Sequence, residues 1–382
     1  MENKNKYPLI FVHGMFGWGS AVGIDKLAPY WGSTTGNLMK HMTDCGYECR
    51  CASVGPVSSA WDCACELYAQ LCGTRVDYGV AHSKRHLHER FGREYKTPIV
   101  EGFGERKVHL IGHSHGGQVI RLLAHLLTYG DEEEKAATDE SDISGLFTGG
   151  KEEWISSITS LCTPNNGTTL YYLAEKAEII QPIGRATDFV MALLGRTFLH
   201  GRFIDYQLEQ YGLTPLRGEK KADKIITAMN RMRDTDDNVL TDLSFKGAQE
   251  LNRKIEISQN INYFCYTSNG SEGCFYKPKN IKFPFLKPLS KLIADAELPE
   301  PQYGLEFDGS WRENDGLVNT PSGRNPIDEP AKEFDGKVEP GIWNIMPDLI
   351  GDHGQAAGLL AERTKLHDFY ENLASLLVST EI

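Results

Sequence analysis

Lys107-Val-His-Leu-Ile-Gly-His-Ser-His-Gly-Gly-Gln-Val-Ile-Arg-Leu-Leu-Ala-His-Leu-Leu127 reads as a strand, a sharp corner and a helix in immediate succession. The apolar run that ends at Gly112 is short, as in a strand buried on both faces of a mostly parallel sheet. From Gln118 apolar residues recur at helical spacing until Gly130. Between the two, Gly112-His-Ser-His-Gly116 fits G-x-S-x-G in the strand–turn–helix setting that this pattern needs to mean a nucleophile. A chain turning that sharply wants residues without a clashing Cβ beside the serine. The turn lifts the Ser114 hydroxyl clear of the sheet, and the helix aims N-terminal N–H groups at developing negative charge.

Working outward, residues 9–12 form a second buried run, closed by His13-Gly14. Further strands are expected over 154–161, 261–266 and 341–345, and an amphipathic helix over 367–377. Strands alternating with helices predict an α/β layer architecture: a mostly parallel sheet flanked by helices, over one domain spanning 1–382. Two segments break the rhythm, a Cys- and His-rich insertion at 56–95 and a largely helical one at 168–237.

Composition narrows the class. The chain has 382 residues, 40% of them hydrophobic, and a net charge of −12. Phosphate binding needs a basic face, so nucleic acid is not an expected partner. No run is long enough for a transmembrane helix. The start lacks the apolar stretch and cleavage site of a signal peptide, so the chain is either intracellular or missing a leader, and its compartment stays open. Nine cysteines leave at least one unpaired within the chain. No CxxC pair occurs, and the CxC pairs are expected to be buried or surface thiols rather than metal ligands.

A serine nucleophile needs a base and an acid from distant loops. In this fold they follow it in the order acid, then histidine. His113 and His115 flank Ser114 and point away from it at such an elbow. Beyond the helix that follows Ser114 come His200, in the helical segment, His353, in the glycine-flanked loop Gly351-Asp-His-Gly354, and His367, in the last helix. His353 is the expected base. Asp315, in Glu313-Asn-Asp-Gly-Leu-Val-Asn319, is the expected acid; Asp348 and Asp352 lie too close in sequence to His353 to be favoured. The backbone N–H groups of His115 and of Met15, in the loop after the first strand, are the expected oxyanion donors. The chemistry implied is acyl transfer from an ester through an acyl-enzyme.

These motifs and their neighbours resemble the zinc-containing lipases of thermophilic bacilli and the related staphylococcal lipases. The shared blocks include His13-Gly-Met-Phe-Gly-Trp-Gly19, Val54-Gly-Pro-Val-Ser-Ser-Ala-Trp-Asp62, Val76-Asp-Tyr-Gly79, Asp242-Leu-Ser244 and Glu313-Asn-Asp-Gly-Leu-Val-Asn-Thr320. The resemblance implies an α/β-hydrolase fold, the triad Ser114, Asp315 and His353, and a lipid or other water-insoluble ester met at an oil–water interface. It implies a structural Zn²⁺ on Asp62, His82, His88 and Asp237, with His86 as the substitute ligand. It makes the helical segment a lid, with Phe189, Met191, Leu193, Leu194, Phe198 and Leu199 lining an acyl groove. The family's Ca²⁺ is not expected, because Gln355 and Leu360 stand where its carboxylates would be. A thioesterase, an amidase or a broad esterase without interfacial activation is the alternative enzyme. A hydrolase fold reused for binding is the alternative outside catalysis.

Overall fold

The computed structural model describes residues 3–180, 205–213, 221–273 and 275–381. Eleven strands are described: β1 (Leu9–Val12), β2 (Cys49–Ala52), β3 (Arg75–Asp77), β4 (Phe91–Glu94), β5 (Val108–His113), β6 (Ile155–Leu161), β7 (Asn262–Tyr266), β8 (Ser268–Asn269), β9 (Ala331–Glu333), β10 (Trp343–Ile345) and β11 (Leu349–Ile350). Seven of them form one sheet in the order β2-β1-β5-β6-β7-β10-β9, every neighbouring pair parallel. The remaining strands make two small ribbons, β8 with β11 and β3 with β4.

Alternation along the central strands sends side chains into two apolar layers, as a pleated strand covered on both sides requires. Ile10, Val12, Val108 and Leu110 join one core with the helices α2 (Ala60–Cys72) and α4 (His115–Tyr129). Leu9, Phe11 and Ile111 join the other. There α1 (Leu38–Asp44) contributes Leu38 and Met42, and the C-terminal helix Arg363–Val378 contributes Leu366, Tyr370, Leu373 and Leu377. All four residues of β1 are fully buried, which is why a bare apolar run sufficed to mark it. Among the described residues no helix is long and apolar enough to cross a membrane.

The expected strands 9–12, 107–112, 154–161, 261–266 and 341–345 are all present with ends shifted by at most two residues. The expected last helix begins four residues earlier, at Arg363. Within 56–95, α2 packs into the main core, whereas β3, α3 (Val80–His86) and β4 stand outside the large sheet. The chain leaves β1 toward β2 and later returns to β5 on the other side of β1. The carboxyl ends of β1 and β5 therefore border the crevice where a doubly wound sheet reverses its order, the usual place for a ligand.

Candidate active site and metal centre

Register brings the ends of β1 and β5 level, Val12 opposite Gly112, so the loops after them open side by side. Ser114 sits at φ +57°, ψ −130°, a conformation costly for a residue with a side chain. Its own amide donates to Leu161 O at 2.8 Å, tying the corner to β6. The glycines around it answer to close packing. A Cβ on Gly116 would lie 2.5 Å from Val12 O, and one on Gly14 would lie 2.6 Å from Ser114 Cβ.

Asp315 and His353 meet on loops near the carboxyl end of β5, where His113 contacts His353. Asp315 Oδ2 faces His353 Nδ1 at 2.8 Å, and both residues are buried. The other carboxylate oxygen accepts the amides of Leu317 and Val318 at 3.0 and 2.8 Å. His353 N in turn donates to Asp315 O at 2.9 Å. Side chain and backbone thus lock the acid and the imidazole to each other, with Nδ1 as donor and Nε2 left basic.

His113, set aside as a base by the elbow geometry, has another place. Its Nε2 donates to His353 O at 2.9 Å, and its Nδ1 meets the Tyr30 hydroxyl at 2.7 Å. That hydroxyl accepts the Gly14 amide at 3.2 Å. Burial, and then the neighbouring His353, push the His113 pKa down to about 3, so the ring is neutral and carries one proton to give. One hydrogen-bonded chain therefore joins the loop after β1 to the loop of His353. Sequence reasoning had no signal for Tyr30.

In the loop after β1, Phe16 N donates to Pro56 O at 2.8 Å and Gly17 N to Gly14 O at 3.0 Å. With Gly14 held by Tyr30, Met15 is the amide in this turn with no acceptor among the described residues. His115 opens α4, and its Nε2 meets Asp242 Oδ2 at 3.0 Å. The same oxygen accepts the Ala60 amide at 2.7 Å, at the first turn of α2.

Asp62, two residues further into α2, belongs to a second buried cluster. Asp62, His82, His88 and Asp237 place one donor atom each within 4.8 Å of the others. His82 Nε2 lies 3.3 Å from both Asp62 Oδ1 and Asp237 Oδ2. His88 Nε2 lies 3.3 Å from Asp237 Oδ2 and 4.0 Å from Asp62 Oδ1. A tetrahedral ion with bonds near 2.0 Å spaces its ligand atoms about 3.3 Å apart. Asp62 Oδ1, His82 Nε2 and His88 Nε2 are buried without a hydrogen-bond partner, so their lone pairs are available to a cation. Burial, and then Asp237, push the Asp62 carboxyl up. Against its own burial, Asp237 is held well down by His82 and His88. The residues fit a metal ion.

Local structure explains how residues so close in sequence as His82 and His88 converge. Gly79, at φ +93°, lets the carboxylate of Glu134 reach the first turn of α3, where it accepts the amides of Ala81 and His82 at 3.0 and 2.7 Å. Leu87 then ends α3 in the left-handed region, φ +58°, and folds His88 back. His88 Nδ1 donates to Glu89 O at 2.9 Å, leaving Nε2 for the cluster. Gln210 Nε2 donates to Asp62 Oδ2 at 2.7 Å and the Tyr211 hydroxyl to Asp237 Oδ2 at 3.1 Å.

The sequence profile described as "Lipase-like, C-terminal domain" matches residues 5–382. The chain belongs to this lipase-like family. It is similar to Lipase 1 of Staphylococcus aureus, 33% identical over 100% of this chain and 55% of that one. It is 35% identical to the lipase of Staphylococcus hyicus, over 99% of this chain and 58% of that one. The chain thus spans little more than half the length of these curated relatives. Among solved structures, EstA from Clostridium botulinum superimposes with a TM-score of 0.84 at 35% identity, covering 99% of this chain and 88% of that one. Staphylococcus hyicus lipase gives 0.83 at 32%, covering 99% and 97%.

In this lipase-family chain the other candidates fall outside both clusters. His86 is half-buried with its ring 4.5 Å from that of His82, and it is not among the four converging residues. Asp348 pairs with Arg324. Asp352 turns from His353 to accept the amides of Lys282 and Phe283. Gln355 accepts the Asp352 amide at 2.8 Å, and Leu360 is partly exposed. His367 lies in the C-terminal helix. His200, Phe189, Met191, Leu193, Leu194, Phe198 and Leu199 lie outside the described residues. The eight described cysteines are free thiols.

Proposed function

We propose that this lipase-family chain hydrolyses carboxylic esters of medium- or long-chain acids, with Ser114 as nucleophile, His353 as base and Asp315 as the group that orients it. The observation that carries the reading is the buried 2.8 Å contact of Asp315 with His353 Nδ1, on loops near the carboxyl end of β5, where Ser114 sits in a strained turn. His353 Nε2 takes the Ser114 proton as Oγ attacks the carbonyl carbon. The amides of Met15 and His115 receive the oxyanion. Collapse breaks the bond to the alkoxide, which leaves with the proton from His353, and the acyl group stays on Ser114. Water gives a proton to His353, attacks the acyl carbon, and releases the acid as Ser114 is reprotonated.

Residues 168–237 are proposed as a lid over an acyl groove. In support, Met15 packs against an apolar cluster of Tyr206, Leu208, Tyr211, Leu213, Ile225 and Met229 drawn from that segment. Phe189, Met191, Leu193, Leu194, Phe198 and Leu199 are proposed as further lining. Asp62, His82, His88 and Asp237 are proposed to hold Zn²⁺. Two imidazoles and two carboxylates suit it, and four protein ligands leave no position for substrate, so the ion would cross-link α2, α3 and the turn before the helix Val239–Leu243. A panel of p-nitrophenyl esters of rising chain length, run on wild type and Ser114→Ala, tests the activity. Turnover should favour longer chains and vanish in the variant; equal rates in both proteins would leave a binding protein as the reading.

A further inference from the structure

The far face of the sheet carries a second group of ligand-type side chains that the ester chemistry does not use. Helix α1 and its C-cap present His41 and Cys45, and the C-terminal helix Arg363–Val378 presents His367 and Glu371. Each pair is spaced i, i+4, which puts both side chains on one face of its helix, and the two faces meet. His41 Nε2 lies 2.8 Å from Glu371 Oε1 and 3.7 Å from Cys45 Sγ. The three donor atoms all fall within 4.8 Å of one another. The ring of His367 stacks on that of His41 at 3.6 Å and 18°, which fixes the plane of the ligating imidazole. His367 Nε2 is itself buried without a hydrogen-bond partner.

A tetrahedral ion with bonds of about 2.0 Å to nitrogen and oxygen and about 2.3 Å to sulfur sets ligand spacings of about 3.3 Å for N···O and about 3.5 Å for N···S. The observed spacings differ from these by a few tenths of an ångström, one short and one long, within reach of small side-chain rotations. The side chains of His41 and Glu371 are 24% and 42% exposed, so an ion from solvent has a path in. We propose that His41, Cys45 and Glu371 bind one divalent transition ion of the zinc class, in a site separate from the Asp62–Asp237 cluster. Thiolate and imidazole select such ions over Ca²⁺ or Mg²⁺. Three protein ligands leave a position for water, so this ion exchanges where the buried one is held. Binding displaces the Cys45 thiol proton to solvent, and affinity falls as pH is lowered. The bound ion clamps α1 to the C-terminal helix.

Cobalt distinguishes the two sites, because the Asp62–Asp237 cluster offers only nitrogen and oxygen. Titrating the full chain with Co²⁺ should raise a thiolate-to-cobalt charge-transfer band in the near ultraviolet. Cys45→Ser should abolish that band while visible absorption from cobalt at the first site persists. Glu371→Gln should keep the thiol and weaken the titration at least tenfold, and Zn²⁺ should protect Cys45 of the wild type from alkylation. No near-ultraviolet band in the wild type, or the same band in Cys45→Ser, would overturn the proposal.

Discussion

The two buried clusters of this molecule solve opposite problems. Around Asp315 and His353 the protein supplies partners for nearly every polar atom: two amides and an imidazole for the carboxylate, a histidine for the His353 carbonyl, a tyrosine for that histidine. Around Asp62 and Asp237 the side chains converge to ion-pair distance, yet three of their polar atoms lack a hydrogen bond, which would cost about 1–3 kcal/mol for each atom that nothing else satisfied. The first cluster is complete as protein and, on the proposed reading, needs only a substrate. The second has the donor set that would be completed by a cation. It follows that damage to the first should stop chemistry and spare the fold, and damage to the second should do the reverse.

The sharpest way to break that contrast is at Ser114. Ser114→Ala is expected to lower kcat for ester hydrolysis by a factor on the order of 10⁶. The melting temperature should stay within a degree or two or rise, because the variant removes a hydroxyl and no structural bond. Residual turnover within a hundredfold of wild type would dismiss Ser114 as nucleophile. Asp315→Asn should cost about 10⁴ in kcat, since the amide permits the wrong imidazole tautomer. A loss under tenfold would mean that the buried contact with His353 is architectural.

The two clusters also differed in how far the sequence revealed them. Ser114 was legible because strand, turn and helix lie in one uninterrupted stretch, and their constraints are local. Met15 and His115 followed from position relative to that corner. Asp315 and His353 followed from chain order and flanking glycines. The four residues of the candidate metal cluster converge from α2, α3 and its end, and a distant turn, and only family resemblance singled out Asp237. Strands β2 and β9 went unseen for a physical reason: both are edge strands, and Ala331-Lys-Glu333 is largely exposed and has no apolar alternation. His113 was read only as a rejected base. Its side chain holds the His353 carbonyl and the Tyr30 hydroxyl, contacts that chain order could not reveal.

At the candidate metal cluster the expected effect is on stability. If the cluster holds an ion, chelation should leave its buried carboxylates balanced only by His82 and His88, a penalty of about 3–5 kcal/mol that lowers Tm by about 5 °C in a chain of this size. Ser114-dependent turnover well below that temperature should change by only a few-fold. Asp237→Ala should melt early and show no further shift with chelator. An identical Tm with and without chelator, in protein found to hold no zinc by elemental analysis, would remove the metal from the account.

A smaller effect separates the clusters by pH. His13 and His113 are fully buried, and burial is the largest cause that pushes their pKa values down to about 4 and about 3. Unfolded, both would titrate near 6.5. Above pH 6.5 neither form binds a proton at these rings, and they contribute no slope. As pH falls from 6.5 toward 4 the unfolded chain takes up protons that the folded chain refuses, so stability drops by up to about 1.4 kcal/mol per pH unit for each ring. Carboxylates and the metal ligands add slopes of their own, which makes the total uninformative. The difference between wild type and His113→Gln isolates one ring: denaturant midpoints at pH 7, 5.5 and 4.5 should converge as pH falls, the variant losing less. Gln can still donate to the His353 carbonyl, so turnover at pH 7 should survive within about tenfold. Parallel pH profiles for the two proteins would mean that His113 is protonated in the fold, and the neutral chain from Gly14 through Tyr30 to His353 would have to be redrawn.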